Sequence, residues 1–127
     1  MERAKEQKHI LVVEDSPDLQ TLLSYLFSGE GYTRSQAFNG KQALELLRSM
    51  PQLPSCILPD IMMPIMGGIQ FREEQKKDPR LADIPVVVMT ADSNSYARTQ
   101  VLGVNHFIRK PITEIDDLLQ IVEGFAH

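Results

Sequence analysis

Five side chains of this 127-residue chain have the types and positions to do chemistry together: Glu14, Asp15, Asp60, Thr90 and Lys110. Each closes a run that reads as a strand. Ile10-Leu11-Val12-Val13 ends in the acid pair, Cys56-Ile57-Leu58-Pro59 in Asp60, Val86-Val87-Val88-Met89 in Thr90, and Val104 to Arg109 in Lys110-Pro111. Three carboxylates held close together repel, and a divalent cation with oxygen ligands relieves such a cluster. Mg2+ suits this set, because it prefers octahedral oxygen coordination and binds through one or two carboxylates together with phosphate oxygens. A lysine and a hydroxyl at the same point supply donors to a phosphoryl group, and positioning with charge neutralisation is most of what phosphoryl transfer requires. Asp60 can itself be the nucleophile, forming an aspartyl phosphate. Taken singly, each residue also has a plainer role. Glu14 and Asp15 could cap a helix, Asp60 could end a strand at a turn, Thr90 could be a strand-end hydroxyl and Lys110 a surface charge.

The elements that would gather these residues are legible in the pattern of the chain. Ile10 to Val13 and Ile84 to Met89 are continuous apolar runs, as expected of strands covered on both faces. Ser16-Pro17 provides an N-cap and a first-turn proline, after which Leu19, Leu22, Leu23, Leu26 and Phe27 form a helical stripe that stops at Gly29 and Gly31. Tyr32 to Phe38 reads as an edge strand. Asn39-Gly40 opens a second helix with Ala43, Leu46, Leu47 and Met50 inward, ended by Pro51 and Pro54. A third helix over Ile69 to Lys77 offers only Ile69 and Phe71 before Arg72-Glu73-Glu74-Gln75-Lys76-Lys77, which predicts loose docking. Asp92-Ser93-Asn94-Ser95 can cap a fourth helix from Tyr96 to Leu102 anchored by Ala97 and Val101, with Gly103 ending it. Val104 to Arg109 is the fifth strand. The last helix puts Ile112, Ile115, Leu118, Leu119, Val122 and Phe125 on one side.

Strands alternating with helices, the interior ones apolar throughout, predict an α/β fold with a parallel sheet. Parallel strands need crossover connections, and those are right-handed. The expected architecture is a flavodoxin-like, doubly wound (βα)5 three-layer sandwich with a five-stranded sheet of order 2-1-3-4-5. In that order the carboxyl ends of strands one, three, four and five meet at one edge, where open α/β sheets place their ligand sites.

Composition bounds the alternatives. Residues 1–127, with 43% hydrophobic and 24% charged content, describe a single domain behind a polar lead over residues 1–8. The net charge of −4 argues against direct nucleic-acid binding, and no apolar run approaches the ~20 residues that cross a bilayer, so no membrane role is expected. Without a secretory pattern, and with Cys56 as the lone cysteine, a cytoplasmic location is expected. Cys56 reads as a small core residue.

The segments Val12-Val13-Glu14-Asp15, Asp60-Ile61-Met62-Met63-Pro64 with Gly68, Val88-Met89-Thr90-Ala91 and Phe107-Ile108-Arg109-Lys110-Pro111 together resemble the response-regulator receiver domain of two-component signalling. The resemblance runs from about Lys8 to Phe125. It implies that Asp60 is the phospho-acceptor and that Asp15, Asp60 and the Met62 backbone carbonyl are direct Mg2+ ligands, with Glu14 reaching the metal through water. It further implies that Thr90 is the switch hydroxyl, Lys110 the ion partner of the phosphoryl group and Phe107 the aromatic that rotates inward on activation. Small Ala91 leaves access to the site. The phosphoryl donor would be a sensor histidine kinase or a phosphotransfer protein, and the readout a downstream protein target that contacts the fourth helix, fifth strand and fifth helix. Self-phosphorylation and autodephosphorylation would be the only reactions, with no turnover of an external substrate.

Three features depart from the family pattern. Pro59, where an aliphatic residue is usual, removes an N–H from a central strand. Gly67 replaces an acid, and Arg72 and Gln75 replace apolar residues of the third helix. Other classes fit less well. An unphosphorylated pseudo-receiver acting as an interaction module would not need the intact acids, Thr90 and Lys110. A haloacid-dehalogenase-like phosphatase would carry an acid where Met62 stands, and a flavin carrier would want a hydroxyl- and glycine-rich phosphate loop where Glu14-Asp15 stands.

Overall fold

Ile10 to Val13 are fully buried, and the strand that contains them, β1 (His9–Val13), is the centre of the sheet. It pairs in parallel with β2 (Thr33–Ala37) on one side and with β3 (Cys56–Pro59) on the other. Beyond β3 come β4 (Val87–Thr90) and β5 (His106–Arg109), which pair in parallel with each other. These features belong to a computed structural model that describes residues 8–91, 93–112 and 115–125. The expected polar lead, apart from Lys8, and the expected capping role of Asp92 lie outside the described residues.

The sheet order is the expected 2-1-3-4-5, with one interruption that separates β2-β1-β3 from β4-β5. Between β3 and β4 only isolated bridges remain, Ile57 to Val86 and Asp60 to Met89. The cause is Pro59. The Ile57 N–H donates to the Pro85 carbonyl at 2.9 Å and the Ile61 N–H to the Met89 carbonyl at 3.0 Å, whereas Pro59, midway between them, has no hydrogen to donate.

Alternating residues of β1 face opposite layers. Leu11 and Val13 pack with Ala43, Leu47 and Phe71, while Ile10 and Val12 pack with Leu23, Phe27, Leu118 and Val122. The first set belongs to helices α2 (Gly40–Ser49) and α3 (Gly68–Lys77), the second to α1 (Pro17–Gly29) and α5 (Ile115–Phe125). Three layers result, and each buried aliphatic or phenyl side chain contributes about 1.5–3 kcal/mol. The caps form where the sequence places them: Ser16 Oγ accepts from the Leu19 N–H at 3.3 Å, and Asn39 Oδ1 from the Gln42 N–H at 2.9 Å.

Two helices differ from expectation. On α3, Phe71, Arg72 and Gln75 are all buried, so the helix is well anchored, not loose. The Arg72 guanidinium donates to the carbonyls of Leu102 and Gly103 at 3.1 and 3.0 Å and to Gln75 Oε1 at 2.9 Å. The Gln75 amide donates in turn to the carbonyls of Leu81 and Ile84. The next helix follows a 3-10 turn (Ser93–Ser95) and is short: α4 spans Tyr96–Val101. Its expected anchors both face solvent, Val101 at 82% exposure, and the buried positions are Ser95 and Thr99. The 3-10 turn rotates the entry to α4, so its inner face is a polar one, held at its C-terminal end by Arg72.

Candidate functional site

The carboxyl ends of four strands converge as the sheet order requires. Asp60 follows β3, and its N–H donates to the Val13 carbonyl at 2.8 Å, which seats it beside the end of β1 despite Pro59. Glu14 follows β1, and its own N–H donates to the Ala37 carbonyl at 3.0 Å. Lys110 follows β5, and its N–H donates to the Thr90 carbonyl at 2.8 Å. Thr90, the last residue of β4, is fully buried.

The side chains of Lys110, Glu14 and Asp60 meet directly. The Lys110 ammonium donates to Asp60 Oδ2 at 2.5 Å and to Glu14 Oε1, and so ties the ends of β1 and β3 to that of β5. Asp60 Oδ1 accepts the Met62 N–H at 3.2 Å, which fixes the plane of the carboxylate. Asp15 is exposed, yet carboxylate oxygens of Glu14, Asp15 and Asp60 all lie within 4.8 Å of one another. Such a set fits a hard divalent cation, for which the exposed Asp15 is the open side. Burial pushes the Glu14 carboxyl up to about 7; Lys110 pulls it back, while Asp15 and Asp60 add to the rise. Burial draws the Lys110 ammonium down, but its hydrogen bonds to Asp60 and Glu14 and their charge outweigh that and raise it. The cluster therefore holds excess negative charge that a single lysine only partly offsets.

The loop from Asp60 to α3 is shaped by close backbone approach. A Cβ on Gly68 would stand 2.5 Å from the Asp60 carbonyl oxygen, and one on Gly67 would stand 2.5 Å from that of Ile61. An acid at position 67, as in the family pattern, has no room with this loop conformation. Ile65 in the same loop has φ of 69° and is 76% exposed, a costly backbone conformation for a β-branched residue. The Met62 side chain projects to solvent.

Phe107 is half-buried on β5, and its ring meets that of Tyr96 edge to face at a centroid distance of 5.4 Å. The expected switch aromatic thus touches the first residue of α4. All the expected site residues come to one edge of the sheet or next to it. Sequence reasoning missed Gln20 and read Arg72 and Gln75 only as departures that weaken α3, whereas all three polar side chains are buried and bind backbone carbonyls. The available signal for Gln20 was its place three and seven residues before Leu23 and Phe27, on the buried stripe of α1.

Comparison with known proteins agrees with the geometry. The response regulator receiver domain family matches residues 10–123. The rice two-component response regulator ORR5 is 34% identical over 110 residues, covering 85% of this chain and 81% of its own length. The receiver domain of a signal transduction histidine kinase from Syntrophus aciditrophicus is 30% identical, with a TM-score of 0.85 over 94% of this chain and 89% of that one. The phosphorylated cyanobacterial phytochrome response regulator RcpA is 28% identical, with a TM-score of 0.80 over 94% of this chain and 91% of that one.

Proposed function

We propose, for a chain that belongs to the response regulator receiver domain family, that the phosphoryl group is accepted on Asp60. Receiver domains are signalling domains, not turnover enzymes, and this one resembles those of histidine kinases and of separate response regulators. The observation that carries the assignment is the Lys110 ammonium bridging Glu14 and Asp60 at the meeting point of three strand ends. An Asp60 oxygen attacks phosphorus, the P–N bond to the donor imidazole breaks as the new P–O bond forms, and a proton from solvent goes to the departing nitrogen. Lys110 then pairs with the new phosphoryl oxygens.

Asp15, Asp60 and the Met62 carbonyl would hold Mg2+ directly, with Glu14 acting through water. When bound, the ion neutralises charge on the transferring group. The donor is a sensor histidine kinase or a phosphotransfer protein in the cytoplasm. The single domain over 1–127 passes the signal by contact with a downstream protein, without binding nucleic acid or membrane. Among the described residues no helix is long and apolar enough to cross a membrane.

The readout runs from Thr90 to α4 and Phe107. If the Thr90 hydroxyl turns toward the phosphoryl oxygens, Phe107 moves into the space it leaves and its contact with Tyr96 breaks, freeing the start of α4. Acetyl phosphate with Mg2+ should add one phosphoryl group, detected by mass spectrometry, and Asp60→Asn should abolish it. Phosphorylation that persists in that variant, or that ignores chelation of the metal, would falsify the assignment. For the readout, beryllofluoride should shift the Tyr96 to Leu102 amides in the wild type and lose that effect in Thr90→Ala.

A further inference from the structure

The acids Glu14 and Asp15 are consecutive, and in an extended strand consecutive side chains point to opposite faces. Here both carboxylates reach within 4.8 Å of each other and of Asp60, so the chain must turn at the peptide that joins them. That peptide lies past the last paired rung of the β1–β2 ladder, Val13 with Ala37, and its carbonyl has no strand partner there. It is held from α1 instead. The two Gln20 Nε2 hydrogens are shared among three carbonyls, those of Glu14 at 3.1 Å, Ala37 at 2.8 Å and Val12 at 3.1 Å. The side-chain amide thus replaces the rung that β2 no longer supplies.

Gln20 is a costly residue for this place. It is almost fully buried between Leu23, Phe27 and the strand ends, and among the described residues its Oε1 has no hydrogen-bond partner. A buried orphan acceptor is penalised, whereas an apolar residue would extend the Leu23 and Phe27 stripe without one. We infer that Gln20 is the positioning residue of the acidic pair: by fixing the Glu14–Asp15 peptide it aims both carboxylates at the cation site beside Asp60. The inference rests on the reading of that cluster as a divalent-cation site.

The test uses the full chain with Mn2+ as probe, its binding measured by water-proton relaxation, in wild type, Gln20→Met, Gln20→Asn and Leu23→Ala. Gln20→Met keeps the length and loses the donor, while Gln20→Asn keeps the amide and loses the reach. Both should weaken Mn2+ binding about tenfold, as loss of an outer support does at metal sites. Leu23→Ala, on the same stripe, should lower the thermal midpoint at least as far and leave Mn2+ affinity within about twofold, because it holds no part of the Glu14–Asp15 peptide. In acetyl phosphate assays the Gln20 variants should need more Mg2+ but regain the wild-type rate at saturation. Mn2+ affinity equal to wild type in both Gln20 variants overturns the proposal alone, as does a loss in Leu23→Ala as large as theirs. A wild-type chain that binds no Mn2+ overturns the reading of the site and the proposal with it.

Discussion

Arg72→Met keeps the aliphatic stem of a buried side chain and deletes its guanidinium, which isolates the polar tie between α3 and the end of α4. Three hydrogen bonds are lost, to the carbonyls of Leu102 and Gly103 and to Gln75 Oε1. Each bond to a charged donor is worth about 1.5–3 kcal/mol, but the gain is offset in part by the cost of burying the guanidinium, and the two loop carbonyls can turn to water. Gln75 Oε1 cannot, because Gln75 is fully buried. The net loss should be about 2–4 kcal/mol, which lowers the midpoint of a domain this size by about 10 °C. Thermal unfolding by circular dichroism in EDTA measures the total, and hydrogen exchange locates it. In the wild type, amides of Phe71 to Lys77 should be as protected as those of Leu22 to Phe27. In Arg72→Met, protection should fall at Leu102 to Val104 and along α3. Arg72→Lys should restore only part, since an ammonium cannot serve three acceptors in one plane. A loss below about 1 kcal/mol, or exchange unchanged at Leu102 to Val104, would refute the view that polar contacts hold these two helices.

Other outcomes follow from single residues. Glu14 is raised from 4.5 to about 7 in the folded chain, so its charge destabilises the fold progressively between those pH values. In chelator, wild-type stability relative to Glu14→Gln should fall by about 3 kcal/mol from pH 4.5 to 7.5 and then level off; a difference that rises with pH in urea unfolding would contradict the buried acid. Ile65→Asn should stabilise the protein by about 1 kcal/mol through relief of the positive φ, and destabilisation of that size would mean that the isoleucine has contacts outweighing its strain. Pro59→Val should leave stability within about 1 kcal/mol, the regained hydrogen bond being balanced by a looser unfolded chain. The amide that this substitution introduces into β3 should be among the slowest to exchange, and fast exchange there would place the ladder gap elsewhere.

By itself the sequence determined the strands, their order and the edge at which the reactive residues gather. Buried parallel strands leave a strong signal, continuous apolar runs, and the acids and Thr90 stand at their ends because the end of a run is also the end of the buried layer, whereas β5, which Lys110 follows, is only partly buried. The missing rung at Pro59 was legible for the same local reason: proline lacks an N–H wherever it sits. The phase of α4 was not legible. Six residues span less than two turns, and a 3-10 turn before them resets which side faces inward, so Ala97 and Val101 were read as anchors while Ser95 and Thr99 took that role. Nor could hydrophobic pattern find Gln20, Arg72 or Gln75, for a polar side chain scores as outward whatever it meets. Their burial depends on carbonyls six to thirty-one residues away in the chain, Glu14 and Ala37 for Gln20, Leu102 and Gly103 for Arg72, and Leu81 and Ile84 for Gln75. Only the tertiary fold brings those acceptors to the helix surface, and once they are there a buried amide or guanidinium can pair with carbonyls that an apolar residue would leave unmet.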